Sequence, residues 1–298
     1  MTGIKRTAGG CSPRSSGAAT HRWLVVATLL AGAPAAAQLG SPASWTTPRT
    51  PVPLIGPVTY VGTEGLGAYL IRTRSGAILI DATMAQNVPA IERNIRTLGV
   101  PLRDVKLILV SHAHFDHAAG LAAMRRDTGA KVIAGEGDVE ALRTGTPPGE
   151  TDYGIVRFPP VPVSRGVRNG DTVTLGDVTL RAVATPGHTP GCTTWTMRVT
   201  ERGRPLNIVF PCSVSVAGNR LIGNRRYPGI VADYRASFER LAALPADVAL
   251  PMHPEGADVF GRARNGTLVA PGLLRTMTAT AREDFEREWR KQGRIAER

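Results

Sequence analysis

The sequence predicts a layered α/β fold for most of its 298 residues. Short runs with the apolar pattern of strands alternate with segments whose apolar residues recur at helical spacing. Histidine and aspartate residues follow directly after several of the strand-like runs. Strands and helices in each half of the chain, with polar side chains at strand ends, favour one large α/β domain. An apolar content of 42% is ordinary for such a core.

The first half of this domain alternates between strands and helices. One helix is predicted over Val88–Leu98, because its apolar residues share a face and Gly99 marks a C-terminal end. Two further helices are predicted at His117–Arg126 and Gly137–Arg143. The predicted strands are Val58–Val61, Ala68–Arg72, Ala77–Ile80, Val105–Val110 and Lys131–Ala134.

The second half begins with a loop and ends with a helix. Five prolines between Thr146 and Arg165 indicate the loop. Its residues Tyr153, Ile155 and Phe158 either form an apolar wall or pack in the core. The predicted helices are Val231–Leu244 and Leu273–Lys291, and the predicted strands are Thr172–Leu175, Val178–Ala184, Thr193–Val199, Asn207–Phe210 and Asp247–Pro251.

Residues 1–37 are predicted to be a secretory signal peptide. Basic residues precede the short apolar run Trp23–Ala33, and small residues up to Ala37 resemble a cleavage site. The run is shorter than the roughly 20 residues of a membrane span, which disfavours an uncleaved anchor. We expect a periplasmic or secreted protein, free of the membrane after cleavage near Ala37. Residues 38–57, rich in Pro, Ser and Thr, are predicted to form an extended arm before a domain over residues 58–298.

The charge of the chain does not indicate a nucleic-acid partner. Residues 1–37 hold four basic and no acidic residues, so their removal lowers the net charge from +12 to +8. The arginines are spread along the chain in small groups such as the pair Arg125 and Arg126. Aromatic residues make up only 5% of the chain and do not interleave with these groups. A solvated basic surface that attracts small anions explains this charge better than a nucleic-acid interface.

The most specific motif is Ser111-His112-Ala113-His114-Phe115-Asp116-His117, which follows the predicted strand Val105–Val110. Residues two apart in an extended stretch share a face, so the first two histidines can bind one metal ion. The aspartate and the last histidine can serve a second ion. A single His-x-His is usually a chance surface pair, but the full string after an apolar strand predicts a metal site.

Two isolated histidines downstream complete six ligand groups. His188 lies between Gly187 and Gly191, and His253 precedes Pro254. Imidazole with an occasional carboxylate is a ligand set suited to zinc, and three protein ligands with a water mark a catalytic zinc. The sequence therefore predicts two zinc ions per chain.

The string Ser-His-Ala-His-Phe-Asp-His resembles the signature of the metallo-β-lactamase superfamily. Further segments resemble that superfamily in the same order, and together they cover Trp45 to the end of the chain: Tyr60–Gly67, Ile78–Asp81, Pro186–Gly191 and the region around His253. The resemblance implies a four-layer αβ/βα sandwich with a dinuclear zinc site. It implies His112, His114 and His188 as ligands of the first zinc, and Asp116, His117 and His253 as ligands of the second.

The segment Phe210–Ser215 narrows the resemblance. Glyoxalase II-like and lactonase-like members carry here an aspartate that bridges the two zinc ions, whereas this chain has serine or cysteine. Metallo-β-lactamases of class B, subclass three (B3), place serines here and keep His-x-His-x-Asp-His in full. Trp195 and Gly223–Pro228 also resemble that subclass. Gly218–Asn219 departs from it, because many relatives carry an aromatic residue there.

The resemblance implies a β-lactamase that opens the ring of penicillins, cephalosporins and carbapenems. With the signal peptide, we expect it to be exported, and we expect a monomer. A zinc-bound hydroxide would attack the strained amide, and Asp116 would orient it by hydrogen bonding. Ser213 and Ser215, two apart in an extended segment, would bind the substrate carboxylate unless they are ordinary loop serines. Asn219 would donate its amide to the substrate carbonyl oxygen.

Two residues are predicted to support the ligands. A metal-bound histidine usually donates its other N–H to a carboxylate or carbonyl. Asp81 ends an apolar strand beside the cluster, and Ser111 precedes the first ligand. The alternative interpretation of Asp81 is an ordinary aspartate in a turn.

Cys192 and Cys212 are the cysteines that remain after removal of the signal peptide. Two cysteines in an exported protein favour a disulfide. The alternatives are two buried thiols or a zinc ligand, although six better ligands already fill both sites.

Other functions remain open at this point. A lactonase or thioesterase of the same superfamily is opposed by the serine segment. A secreted zinc-binding protein would bind two ions without catalysis. A nucleic-acid-processing hydrolase is disfavoured by the export signal and the dispersed arginines.

Overall fold

The computed structural model describes residues 40–296, in which two β-sheets pack face to face. The predicted signal peptide lies outside the described residues. The seven-stranded sheet contains, in spatial order, β1 (Val52–Ile55), β2 (Val58–Tyr60), β3 (Tyr69–Thr73), β4 (Gly76–Ile80), β5 (Val105–Leu109), β6 (Lys131–Gly135) and β7 (Arg165–Val167). The five-stranded sheet contains, in spatial order, β12 (Val248–Ala249), β11 (Arg204–Phe210), β10 (Thr193–Glu201), β9 (Val178–Ala184) and β8 (Thr172–Leu175).

Helices pack around the two sheets, mostly on their outer faces. They are α1 (Val88–Thr97), α2 (Phe115–Ala118), α3 (Leu121–Thr128), α4 (Val139–Thr144), α5 (Ile230–Ala242), α6 (Val259–Arg264) and α7 (Leu273–Ala296). None of the helices within residues 40–296 combines the length and the apolar character needed to span a membrane.

The alternation of side chains along the strands builds the layers. In β4, Ile78 and Ile80 enter the core between the sheets, while Leu79 packs in the cluster that holds α1 and α3. On the other sheet, Val209 of β11 faces outward against Leu274 of α7. The order of layers is therefore helix, sheet, sheet, helix, which confirms the predicted αβ/βα sandwich.

The topology brings the polar strand ends to one edge. Strands β4 and β5 are parallel, and β9, β11 and β12 run in one direction because β10 is antiparallel to β9 and β11. The indole of Trp195, on β10, is buried and donates to the carbonyl oxygen of Val110, at 3.1 Å. This bond ties the second sheet to the start of the histidine motif.

The predicted arm was wrong over its last part. Val52–Ile55 forms the edge strand β1, which pairs antiparallel with β2. Pro53 hid this strand, because a proline inside a run argues against a central strand but is tolerated at an edge. The described domain therefore includes this strand.

Helix boundaries also differ from the prediction. The predicted helix His117–Arg126 is two helices, α2 and α3, which meet at Gly120. A Cβ at Gly120 would lie 2.2 Å from the carbonyl oxygen of Ala82, and the Gly120 amide donates to the carbonyl of Thr83 at 2.9 Å. The chain breaks here because it packs directly on the backbone after β4. The short elements β7 and α6 were not predicted.

Candidate metal centre

Three histidine rings converge at the sheet edge in a first ligand triangle. The Nε2 of His188 lies 3.1 Å from the Nε2 of His112 and 3.0 Å from the Nδ1 of His114. All three side chains are buried. The Nδ1–H of His188 donates to the carbonyl oxygen of Ser215 at 2.8 Å, so its Nε2 carries the lone pair that faces the other rings.

A second ligand triangle adjoins the first. The Nε2 of His117 lies 3.1 Å from the Oδ2 of Asp116 and 3.3 Å from the Nε2 of His253. The Asp116 Oδ2 lies 3.4 Å from the His253 Nε2. The rings of His112 and His117 have centroids 4.3 Å apart, so the two triangles are neighbours. The structure thus brings together all six residues that the sequence predicts as ligands.

These triangles fit zinc. A tetrahedral ion with Zn–N bonds of about 2.0–2.1 Å holds its nitrogens about 3.3 Å apart. The observed separations of 3.0 to 3.4 Å are close to this edge length. In the first triangle, the Nε2 lone pairs of His112 and His188 face each other at 3.1 Å, an arrangement that a cation would satisfy. The residues present therefore fit the metal that the donor chemistry predicts.

Burial keeps the rings of the first triangle neutral, the form that binds metal. It lowers the pKa of His112 and of His188 well below the usual value, and neighbouring histidines lower both pKa values further. Burial also lowers the pKa of His114 to about 4. At neutral pH each ring can therefore offer a lone pair.

The second triangle contains a charged pair in the metal-free protein. Burial alone would lower the pKa of His117, but the charge of Asp116 and hydrogen bonds to carboxylates outweigh it and raise this pKa to about 10. Burial would raise the pKa of Asp116, but His117 holds it well below its usual range. A bound metal ion would take the place of the proton on His117 Nε2 and would face the same carboxylate, that of Asp116.

The predicted supporting residues lie beside both triangles. Asp81 Oδ2 accepts from Ser111 Oγ at 2.5 Å and lies 3.0 Å from His117 Nδ1. Because the Ser111 hydroxyl proton is used on Asp81, its oxygen accepts from the Nδ1–H of His112, at 3.0 Å. One buried carboxylate thus sets the tautomer of a ligand in each triangle.

The two serines predicted to bind substrate lie side by side. Their hydroxyl oxygens are 3.0 Å apart on an exposed stretch of chain. The same segment contacts the first triangle, since His188 donates to the carbonyl oxygen of Ser215. Cys212 lies just before it, with its Cα 5.9 Å from that of Cys192 and the two sulfurs in disulfide geometry.

The expectation for Asn219 was wrong. This side chain is buried, and its amide donates to the carbonyl oxygen of His188 at 3.1 Å and to Tyr234 Oη at 3.3 Å. Its donors are used within the protein and are not offered to a substrate.

The loop between α4 and β7 forms one wall of the site. Tyr153 and Ile155 are exposed by 49% and 54%, and both line a cavity beside His114 and Phe115. Phe158 instead packs in the core under α3 and α4. An isolated β-bridge joins Thr151 to Asn219, so this loop is tied to the chain that follows Ser213 and Ser215.

Two supporting residues were missed from the sequence. Buried Asp138 accepts from the amide of Ala113 at 2.8 Å and from Thr189 Oγ at 2.7 Å, so it joins the histidine motif to the His188 turn. Two residues separate Asp138 from the end of β6, whereas Asp81 directly follows β4, so the position of Asp138 in the sequence carried no comparable signal. Trp45, in a short 3₁₀ helix, packs on the ring of His253 with centroids 5.4 Å apart.

Comparisons with known proteins agree with this geometry. The model of the metallo-beta-lactamase superfamily matches residues 68–253, and the chain belongs to this superfamily. Its structural neighbours are subclass B3 metallo-beta-lactamases. BJP-1 of Bradyrhizobium japonicum is 42% identical, with a TM-score of 0.82 over 85% of this chain and 98% of that one. MEM-A1, isolated from a soil metagenome library, is 34% identical, with a TM-score of 0.80 over 85% of this chain and 100% of that one.

The curated relatives with similar sequences include hydroxyacylglutathione hydrolases. A hydroxyacylglutathione hydrolase of Maricaulis maris is 30% identical over 143 residues, which are 47% of this chain and 44% of that protein. One of Rhodospirillum rubrum is 31% identical over 125 residues, 41% of this chain and 40% of that protein. The chain spans about half the length of the curated relatives it matches, or less.

Proposed function

We propose that the protein is an exported, dizinc β-lactamase. The observation that carries the proposal is the pair of adjoining ligand triangles with two accessible serine hydroxyls beside them. The names of the structural neighbours, aligned over almost their full length, support the same reaction. The reaction adds water across the amide C–N bond of the four-membered ring, giving a carboxylate and an amine.

His112, His114 and His188 would hold one zinc, and Asp116, His117 and His253 the other. Zinc, when bound, lowers the pKa of water from about 15.7 to about 7 and so supplies a nucleophile at neutral pH. Asp116 would accept a hydrogen bond from the attacking water and fix its direction. A three-histidine set adds no negative charge, which preserves the full charge of its ion.

Ser213 and Ser215 would bind the carboxylate of the substrate. Their hydroxyls lie 3.0 Å apart and are accessible, so both can donate to one carboxylate. The exposed Tyr153 and Ile155 would contact the apolar parts of the substrate, since they line the cavity beside His114. Their position on a loop makes substrate preference depend on loop conformation.

A thioesterase is the second candidate, because the curated relatives are hydroxyacylglutathione hydrolases. The end of β11 argues against it. Where glyoxalase II-like members place a bridging aspartate, this chain has Ser213, whose hydroxyl pairs with Ser215.

Parallel assays would separate the two candidates. Mature protein, loaded with zinc, is given nitrocefin, imipenem and lactoylglutathione, each with and without EDTA. We expect turnover of the two β-lactams that EDTA abolishes. Turnover of lactoylglutathione alone would replace this proposal with the thioesterase, and zinc binding without any turnover would leave a binding protein.

A further inference from the structure

Helix α5 presents three hydrogen-bond donors to the chain around His188. The donors are three residues apart and therefore follow one face of the helix. Their acceptors are backbone carbonyls in the segment that leads into His188 and in the serine segment beside it. The bonds run from Tyr234 Oη to Ser215 O at 2.8 Å, from Ser237 Oγ to Pro186 O at 2.6 Å, and from the Arg240 guanidinium to Ala184 O.

Tyr234 and Asn219 complete a closed network around His188. The carbonyl oxygen of Ser215 accepts both the His188 Nδ1–H and the Tyr234 hydroxyl, each at 2.8 Å. Asn219 donates to the Tyr234 oxygen at 3.3 Å and to the backbone oxygen of His188 at 3.1 Å. The ligand is thus held at its ring and at its backbone by the same buried group of side chains.

The local backbone is built for this contact. Gly187 has φ +133°, and a Cβ there would lie 2.7 Å from Cγ and 3.0 Å from Cα of Tyr234. Only glycine allows the His188 turn to approach the helix so closely. The Tyr234 ring itself is fully buried, against Phe285 at a centroid distance of 4.9 Å. The tyrosine is therefore fixed before any ligand binds.

We propose that Tyr234 and Asn219 are positioning residues for the first ligand triangle. Their hydrogen bonds fix the Ser215 carbonyl, which in turn fixes the tautomer and the orientation of His188. Bonds in such a chain strengthen one another in a buried setting. Because the same carbonyl belongs to the serine segment, the network also sets where the serine hydroxyls lie relative to the metal. This inference rests on the metal site of the proposed function and is independent of the substrate.

Zinc affinity in two ligand-deficient backgrounds tests the proposal. His253→Ala leaves the first triangle complete, and His188→Ala leaves the second complete. Tyr234→Phe removes one oxygen and keeps the buried ring. In the His253→Ala background we expect Tyr234→Phe to weaken zinc binding about tenfold, at the low end of the effects of outer ligand partners. In the His188→Ala background we expect no change, because the ring that the network orients is gone.

Each other outcome contradicts the proposal. Equal weakening in both backgrounds would make Tyr234 a general stabiliser of the fold. No weakening in the His253→Ala background would remove it from the metal site. Tyr227→Phe is the matched control, since that hydroxyl bonds to Asp233 at 2.6 Å and contacts no ligand.

A second measurement reads the histidine itself. Nitrogen NMR of the metal-free protein distinguishes the two tautomers of His188. We expect the Nδ1–H form in the wild type and in Tyr227→Phe, and a mixture of forms in Tyr234→Phe and Asn219→Ala. An unchanged Nδ1–H tautomer in both test variants would overturn the proposal. Failure of the wild type to hydrolyse β-lactams would refute the proposed function and leave these two measurements untouched.

Discussion

The carboxylate of Asp81 lies 3.0 Å from the Nδ1 of His117 and also accepts from the amide of Ser111 at 2.7 Å. Asp81 adopts a positive φ of 58°, a conformation that aspartate and asparagine tolerate better than most residues. This backbone turn is what aims the carboxylate at the ligands.

Asp81→Asn should weaken zinc binding by about 10- to 100-fold, as the loss of an outer ligand partner typically does. Asparagine keeps the shape and tolerates the positive φ, but its amide N–H₂ would face the Ser111 hydroxyl or the His117 Nδ1–H, which are donors. Competition with a chelating dye measures the affinity. The exposed Asp177→Asn is the control, and equal affinity in both variants would contradict the role of Asp81.

Elemental analysis of zinc-replete protein should find two zinc ions per chain. His188→Ala should retain one ion and lose nearly all activity, because it removes a ligand that joins both other rings of its triangle. A wild-type content that stays at one after zinc addition would refute the dinuclear assignment.

Ser213→Ala/Ser215→Ala should lower kcat/KM for β-lactams by about one to two orders of magnitude. A hydrogen bond to a charged acceptor is worth roughly 1.5–3 kcal/mol, and the loss counts fully if the bond persists in the transition state. Zinc content should not change. An unaltered kcat/KM would remove the serines from substrate binding, and loss of one zinc would make a serine a ligand.

Cys192 and Cys212 should form a disulfide in the mature protein. They are 20 residues apart, and a loop of about this length stabilises the fold by roughly 3 kcal/mol in the chain-entropy model. Urea denaturation of Cys192→Ser/Cys212→Ser, compared with the wild type, measures this loss. Two free thiols titrated in the unfolded, non-reduced wild type would refute the bond.

The metal-free protein should lose stability as the pH falls from about 6.5 towards 4. The pKa of His114 is lowered from 6.5 to about 4, so the unfolded chain binds more protons in this window. This histidine alone accounts for about 3 kcal/mol, and His112 and His188 shift in the same direction. His117 acts oppositely, because its raised pKa of about 10 makes its contribution fade as the pH rises from 6.5.

Urea denaturation in EDTA at pH 6.5 and pH 4.5 would check this window. Burial raises the pKa of Asp138 to about 6, so protonation of this carboxyl favours the folded state in the same window and opposes the histidines. His114→Gln should reduce the pH dependence. A pH dependence that is the same in His114→Gln as in the wild type would show that the His114 ring is not buried in its neutral form.

The ligands were predictable because each follows a strand whose pattern is strong. His112 and His114 come after β5 and His188 after β9, and strands that run in one direction end at one edge. The burial of the Asn219 side chain could not be predicted from the sequence. Its amide is turned inward by Tyr234, a partner 15 residues away on a helix whose docking depends on the whole second sheet.

Asp138 escaped prediction for a related reason. In Glu136-Gly137-Asp138 it reads as a polar surface turn. Its burial follows from the contact with Gly191, where a Cβ would lie 2.2 Å from the Asp138 amide nitrogen. Such a contact joins residues 53 positions apart and depends on how the two sheets face each other. The local sequence pattern therefore does not predict this contact.

The convergence of strand ends makes the metal centre a product of completed folding. Contacts between its ligands join residues 76 and 136 positions apart, and they draw on both sheets. A chain cut before His253 lacks one corner of the second triangle, and a chain cut before His188 has neither triangle. Bound metal therefore reports that both halves of the molecule have docked, and an ion that binds only this state stabilises it against partial unfolding.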